Sequence, residues 1–175
     1  MVDLVLISPI KEYEKEAFEY IQEFLDYNSE INGTDGLNRY QNYDEWLLKL
    51  GEDLDFQNIP EDKVPANTYF LIRKLDNKII GMINIRHRVN EFLFNEGGHI
   101  GYSIRPTERE KGYGTLILKL GLERCKKLNL REVLITCDKI NVASAKVIQN
   151  NGGVLDNEIY SETFSGIIQR YWIEL

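Results

Sequence analysis

Two cysteines, two histidines and four prolines are all that the 175 residues contain of these types. Cys125 and Cys137, with His87 and His99, are too few for a disulfide framework or a structural zinc site. No bound metal is expected. No apolar run approaches the roughly 18 residues of a membrane-spanning helix. The stretch from Met1 to Ile7 also lacks the basic flank and long apolar core of an export signal. A cytoplasmic protein without a membrane partner is the expectation. Positive charge is short as well: 21 Lys and Arg against 28 Asp and Glu leave a net charge of -7. Neutralising nucleic-acid phosphates takes a clustered basic surface, so no nucleic-acid partner is expected. With 43% hydrophobic and 28% charged residues, the composition is that of an ordinary globule, and the length predicts a single domain over residues 1–175.

The average charge hides a gradient. Residues 1–60 hold 14 acids and 4 bases, whereas residues 105–146 hold 10 bases and 5 acids. That second window suits a compact anion, although Lys119, Lys126 and Lys127 taken alone read as the solvated face of a helix.

Periodicity places the elements. Residues 2–7 read as a strand, and Ser8-Pro9 offers a cap and first-turn proline for an amphipathic helix over residues 10–27. Gly33 and Gly36 mark the loop 28–38, after which Asn42-Tyr43-Asp44-Glu45 resembles a capping box before a short second helix. From residue 67 the pattern turns to strands, with a hairpin closed at Asp76-Asn77 and running to Val89. His99 to Arg105 is a further strand stopped by Pro106. A helix over 112–128, a strand over 132–137, a helix over 141–150 and strands at 154–160 and 166–173 follow. The aromatic final strand (Tyr171-Trp172-Ile173) suits core packing, or pairing in a homodimer.

The chemistry-bearing stretch is Ile104-Arg105-Pro106-Thr107-Glu108-Arg109-Glu110-Lys111-Gly112-Tyr113-Gly114-Thr115, where a strand gives way to a helix. Exposed N–H groups and the positive helix end make such a turn an anion site, and glycine lets the anion approach the main chain. It is neither a Walker A loop nor Gly-x-Gly-x-x-Gly, since residue 117 is Ile. A purely structural turn remains open on these residues alone.

Arg109-Glu110-Lys111-Gly112-Tyr113-Gly114 is similar to the Arg/Gln-x-x-Gly-x-Gly/Ala motif of the GNAT family of N-acetyltransferases. The run His99 to Pro106 resembles the family's fourth strand, and Asn141 through Gly153 the helix after its fifth. Asn84 to Arg88 with Gly97 to Tyr102 resembles a bacterial subgroup described only as predicted acetyltransferases. The resemblance implies an α/β (α+β) acyl-CoA N-acyltransferase fold: a mixed, mainly antiparallel twisted sheet with helices on both faces and a central splayed parallel strand pair.

It also implies acetyl-CoA as co-substrate, lying between strands 99–105 and 132–137. Main-chain amides of Arg109, Glu110, Lys111, Gly112, Tyr113 and Gly114, running into Thr115, would hold the pyrophosphate. Ile104 would meet the pantetheine through its backbone, Asn141 and Ser144 would contact the same arm, and Lys146 would reach a phosphate or simply face solvent. The reaction implied is direct attack by a primary amine of a small-molecule or peptide acceptor, with N–H groups near Tyr102 to Ile104 stabilising the oxyanion.

Many family members carry a tyrosine proton donor where this chain has Ile148, so the acid is left to Tyr102, to Tyr160 or to solvent. His99 stands where some relatives have glutamate and is the candidate base, against a purely structural strand histidine. His87, beside Arg86 and Arg88, suits either an acceptor pocket or an edge strand. Cys137 invites an acetyl-cysteine route, but no histidine pairs with it locally, and both cysteines read as small buried hydrophobes. The acidic N-terminal third suits a cationic amine, or solubility alone. Ile148 keeps open a non-catalytic CoA or acyl-CoA binding module, and a plain nucleotide-binding protein is a third reading.

Overall fold

The computed structural model describes residues 3–55, 57 and 59–175. Val2, placed above in the first strand, lies outside them. Four strands, β1 (Leu4–Ile7), β2 (Ala66–Arg73), β3 (Lys78–Arg86) and β4 (Ile100–Ile104), pair antiparallel in that order. β5 (Glu132–Asp138), β6 (Val154–Ser161) and β7 (Gly166–Glu174) form a second antiparallel sheet with β7 in the middle.

Helices cover both faces. Ala17, Tyr20 and Phe24 of α1 (Glu14–Asp26) and Trp46 of α2 (Tyr43–Glu52) pack on Phe70, Ile72, Ile79 and Met82. On the opposite face Ile117, Leu118, Leu122 and Cys125 of α3 (Tyr113–Lys127) and Ala145 and Ile148 of α4 (Val142–Asn150) meet Leu71, Ile83, Ile85, Ile135 and Tyr171. β3, buried from Ile79 to Ile85, is apolar along most of its length because helices cover it on both sides. Each fully buried large side chain here contributes about 1.5–3 kcal/mol of apolar transfer energy.

The expected cap at Ser8-Pro9 is not where the first helix begins. The chain stays extended to Ile10 (φ -135°, ψ 161°), makes one 3-10 turn over Lys11–Tyr13, and enters α1 at Glu14. The second helix holds the entry in this form: Tyr43 Oη donates to the Ile10 carbonyl at 3.1 Å and Lys11 Nζ reaches Asp44 at 2.7 Å. Asn42 does cap α2, its Oδ1 accepting from Asp44 N–H at 3.0 Å. The hairpin strand stops at Arg86 rather than Val89, where His87 N–H turns away to the Pro65 carbonyl at 2.8 Å.

Among the described residues, backbone hydrogen bonding joins the two sheets at His99. His99 N–H donates to the Leu134 carbonyl at 2.7 Å, and Leu134 N–H donates back to the imidazole Nδ1 at 2.9 Å. The ring thus takes the amide that a continuous ladder would have given to a backbone carbonyl, and the His99 carbonyl accepts instead from Arg86 N–H at 2.8 Å. A side chain has replaced a ladder bond, so β4 and β5 part just beyond the point where they touch. Both then run toward the start of α4, where Tyr102 and Cys137 each meet Ser144.

Gly98 permits that touch. Its φ of 64° and ψ of -174° belong to a region essentially reserved for glycine, and a Cβ there would sit 2.6 Å from the Leu134 carbonyl oxygen. Gly98→Ala is expected to cost about 3 kcal/mol, lowering the melting temperature by about 10 °C; a melt within 2 °C of wild type would contradict this junction.

Candidate active site

β4 ends at Ile104, and a 3-10 turn over Pro106–Glu108 leads to Glu110 (φ 63°) and Gly112 (φ 81°), the residue before α3. The first bond of the helical ladder runs from Leu116 N–H to the Gly112 carbonyl at 3.2 Å, so the amides of residues 112–115 precede it and face outward along the helix axis. The motif's two glycines serve different ends. A Cβ on Gly112 would meet nothing within 4 Å, leaving an open cradle over the amides, whereas one on Gly114 would come within 3.0 Å of Val147 Cγ2, where α3 packs on α4. An open amide cradle at the positive end of a 15-residue helix fits a diphosphate.

The side chains of the turn point elsewhere. Lys111 Nζ folds back onto Glu108 at 2.8 Å and the Thr107 carbonyl at 3.2 Å. Arg109 donates through Nε to the Ile104 carbonyl at 3.2 Å and through Nη2 to Ser29 Oγ at 2.7 Å, and lies over the Phe24 ring. It ties the turn to the loop between α1 and α2. Burial pushes the Glu108 carboxyl up, but Lys111 and Arg73 outweigh it and hold the group below its ordinary value.

Behind the turn lies a buried ion cluster. Arg105, 4% exposed, donates to Glu16 at 2.5 Å, to Glu23 at 3.1 Å and to the Ile79 carbonyl at 2.8 Å. Glu23 also accepts from Thr107 N–H at 2.9 Å and Thr107 Oγ1 at 2.8 Å, so one α1 carboxylate holds the turn's first residues. Although burial works against it, these bonds hold the Glu23 carboxyl below its ordinary value.

In the gap between β4 and β5, Tyr102 Oη and Ser144 Oγ lie 3.0 Å apart, and Ser144 also reaches the Cys137 thiol. Burial pushes the Tyr102 phenol up to about 12 against the pull of the Ser144 hydrogen bond. The same cause lifts Cys137 to about 11, so the thiol is protonated near neutral pH and is no nucleophile. Cys125, also buried, is pushed up to about 12. Asn141 caps α4, its Oδ1 accepting from Ser144 N–H at 3.1 Å, which fixes the backbone that carries the Ser144 hydroxyl. Lys146 is exposed one turn along, and Ile148 is wholly buried in the core.

His99 takes a place that ill suits the expected base. Its Nδ1 lone pair is engaged by Leu134 N–H, which puts the ring proton on Nε2 and leaves no acceptor facing outward. Burial is the main cause lowering its pKa, with the Arg86 charge acting in the same direction. His87 Nε2 lies 2.7 Å from Asn67 Oδ1, half-buried at the end of the hairpin. Tyr160, the other tyrosine weighed as acid, is 65% exposed on β6, in the other sheet from Tyr102.

The loop after α1 forms the far wall. Gly33 lies so close to β4 that a Cβ on it would be 2.5 Å from the Gly101 carbonyl oxygen, and the Ser103 hydroxyl donates to the Asn32 carbonyl. Part of the N-terminal acidity is neutralised here, Lys49 bridging Asp35 and Asp53 at 2.5 Å each. Sequence reasoning missed the π-helical turn Leu93–Gly97, whose last carbonyl, with that of Gly98, accepts from Arg86 Nη1 at 3.0 Å. Asn90 was its signal, since the Oδ1 accepts from Leu93 N–H at 2.9 Å as a helix cap does. No helix among the described residues is long and apolar enough to cross a membrane.

A family model described as an acetyltransferase (GNAT) domain matches residues 8–154. No curated protein matches the chain. Among solved structures, the ribosomal-protein-S5-alanine acetyltransferase of Vibrio fischeri is similar with a TM-score of 0.76 at 18% identity, over 98% of this chain and 92% of that one. The spermidine N-acetyltransferase of Vibrio cholerae, in complex with CoA and spermine, gives 0.64 at 16% identity over 98% and 95%. A ribosomal L7/L12 alpha-N-protein acetyltransferase in complex with coenzyme A gives 0.71 at 14% identity over 98% and 94%. At these identities the likeness speaks for the fold. Taken with the family match over most of its length, the parted strands β4 and β5 and the amide-lined turn before α3 place this chain in the GNAT acetyltransferase family.

Proposed function

We propose that the protein is an N-acetyltransferase that takes the acetyl group of acetyl-CoA and transfers it to a primary amine in a ternary complex. The observation that carries this reading is the Tyr102–Ser144 pair between β4 and the start of α4, together with the open amide cradle at Gly112 before α3. When bound, acetyl-CoA supplies an activated acyl group on a thiolate leaving group. The chain's own residues bind and orient it. Amides of residues 109–115 take the diphosphate, the backbone at Ile104 and the α4 start at Asn141 and Ser144 guide the pantetheine, and Lys146 extends toward a phosphate.

Tyr102 serves as the proton donor. Its phenol stays protonated across the working range because burial raises it, and the 3.0 Å hydrogen bond with Ser144 holds it at the start of α4. The backbone N–H groups of Tyr102 and Ile104, which alternate with those that pair to β3, would meet the negative charge that develops on the acyl oxygen. His99 acts here as the wedge that parts the strands, and the amine gives its proton to water. The spermidine and ribosomal-protein acetyltransferases of like fold take amines, and a small-molecule or peptide amine is the acceptor class assigned here.

Release of CoA thiol from acetyl-CoA in the presence of an amine panel tests the reading. Turnover with at least one primary amine, above the hydrolysis background, is expected. Tight CoA binding with no thiol release from any amine would instead favour the non-catalytic CoA-binding module.

A further inference from the structure

Arg170 sits in the middle of β7, opposite Thr136 of β5 and Asn157 of β6. Its neighbours Tyr171 and Ile173 point into the core under α3 and α4, so Arg170 and Trp172 face the other way, toward Phe94 and His99. The side chain is 7% exposed. One end of its guanidinium is held: Nη1 donates to Asn157 Oδ1 at 3.1 Å and lies 4.0 Å from Asp156. The other edge is not, for Nε and Nη2 are buried with no hydrogen-bond partner among the described residues.

That edge is the planar fork that arginine offers to a carboxylate. Burying charged donors unpaired costs more than the about 1–3 kcal/mol of a neutral group, so these two call for a partner such as an ordered water, an ion or a ligand. The Phe94 ring lies over the guanidinium, 4.6 Å from its centre, and Phe94 is 44% exposed on the π-helical turn Leu93–Gly97. Turns of this kind recur at functional sites. Thr136, the strand partner of Arg170, precedes Cys137, which meets Ser144 beside Tyr102. Adjacent strand residues face opposite ways, so the fork opens on the side of β5 away from the gap's tyrosine.

We propose that Arg170 anchors a carboxylate on the acyl acceptor, Phe94 lifting to admit it, so that the enzyme selects amines that also carry a carboxylate, as amino acids and acidic peptides do. This rests on the transferase reading. The side-on pair of Nε and Nη2 bonds would hold the acceptor on that face of β5, so that its amine enters the gap between β4 and β5 from the side opposite Tyr102.

Two measurements test it, one without turnover. With CoA present, N-acetylated amino acids and their carboxamides are compared as ligands by thermal melting. At least one acid is expected to raise the melting temperature of wild type by several degrees where its amide does not, and Arg170→Gln is expected to abolish that difference. Equal protection by acids and amides, or by wild type and Arg170→Gln, would overturn the proposal. In thiol-release assays, free amino acids should exceed their amides by at least tenfold in kcat/KM, with Arg170→Gln reducing the ratio to about one. Arg170→Met, which removes the guanidinium but leaves an unbranched apolar side chain at the same place, separates this from a structural role: it should melt at or above wild type, and a loss of several degrees would show the guanidinium to be a satisfied structural group. Should no amine release thiol while acids still protect through Arg170, the transfer reading fails and the carboxylate site stands.

Discussion

Replacing Tyr102 with phenylalanine is expected to lower kcat about 100-fold while leaving the dissociation constant for CoA within about twofold, since a positioned acid contributes about 10²–10⁴ to such steps. The variant removes one oxygen whose partner is Ser144 Oγ, 3.0 Å away on a capped helix start. Ser144→Ala should cost less, about tenfold, because the phenol remains and loses only its orientation. The pH profile adds a second readout. With the phenol pushed up to about 12 by burial, it stays protonated below that value. The rate should therefore climb as the acceptor amine loses its proton and show no downturn from Tyr102 through pH 10. Unchanged kcat in Tyr102→Phe with a lowered melting temperature would reduce the residue to a filler of the gap.

Arg105→Met is expected to give the largest loss of stability, about 3–5 kcal/mol, or about 10 °C or more in melting temperature. Glu16 and Glu23 both lean on this one guanidinium, which is 4% exposed, and removing it leaves two half-buried carboxylates without their counter-charge. Burial already raises the Glu16 carboxyl above its ordinary value of 4.5, outweighing Arg105. A carboxyl raised in the folded state binds protons there that the unfolded chain has released, so stability falls as pH rises through that window. Without Arg105 the rise grows, and the deficit relative to wild type should be smaller at pH 5 than at pH 8. A deficit independent of pH, or a loss under about 1 kcal/mol, would contradict the cluster's role. CoA affinity should drop as well, because Thr107 at the head of the turn hangs from Glu23.

Most of the frame was legible before any coordinates. Where periodicity is long and punctuated, as in α3 between Gly112 and Lys127 or β5 through α4, expected and observed bounds differ by a residue or so. The start of α1 was not, because a contact 33 residues away, Tyr43 on the Ile10 carbonyl, overrides the local Ser8-Pro9 signal. Local sequence carries no record of such partners. At the site, the glycines of the motif were visible but their division of labour was not: Gly112 stands open and Gly114 meets Val147 across a helix pair that only folding creates. His99 makes the same point from the other side. A strand histidine near an acyl site reads as a base, yet its one lone pair belongs to Leu134 N–H, a residue 35 positions on. In the sequence Arg105 is one base among ten in its window; folding buries it and Arg170 alike, and their partners distinguish the paired ion from the half-paired one.

Calorimetric titration of CoA into wild type and Gly112→Asp bears most directly on the turn before α3. A Cβ at Gly112 meets no protein atom within 4 Å, and aspartate tolerates a positive φ better than most residues, so the variant should fold. Its carboxylate would lie among the amides and repel a diphosphate by about 2 kcal/mol after screening, or about 30-fold in affinity. Saturable heat with wild type and a loss of that order in Gly112→Asp, at nearly equal melting temperature, are the results expected if the amide cradle grips the diphosphate. No heat with wild type, or equal affinity in both proteins, would contradict it.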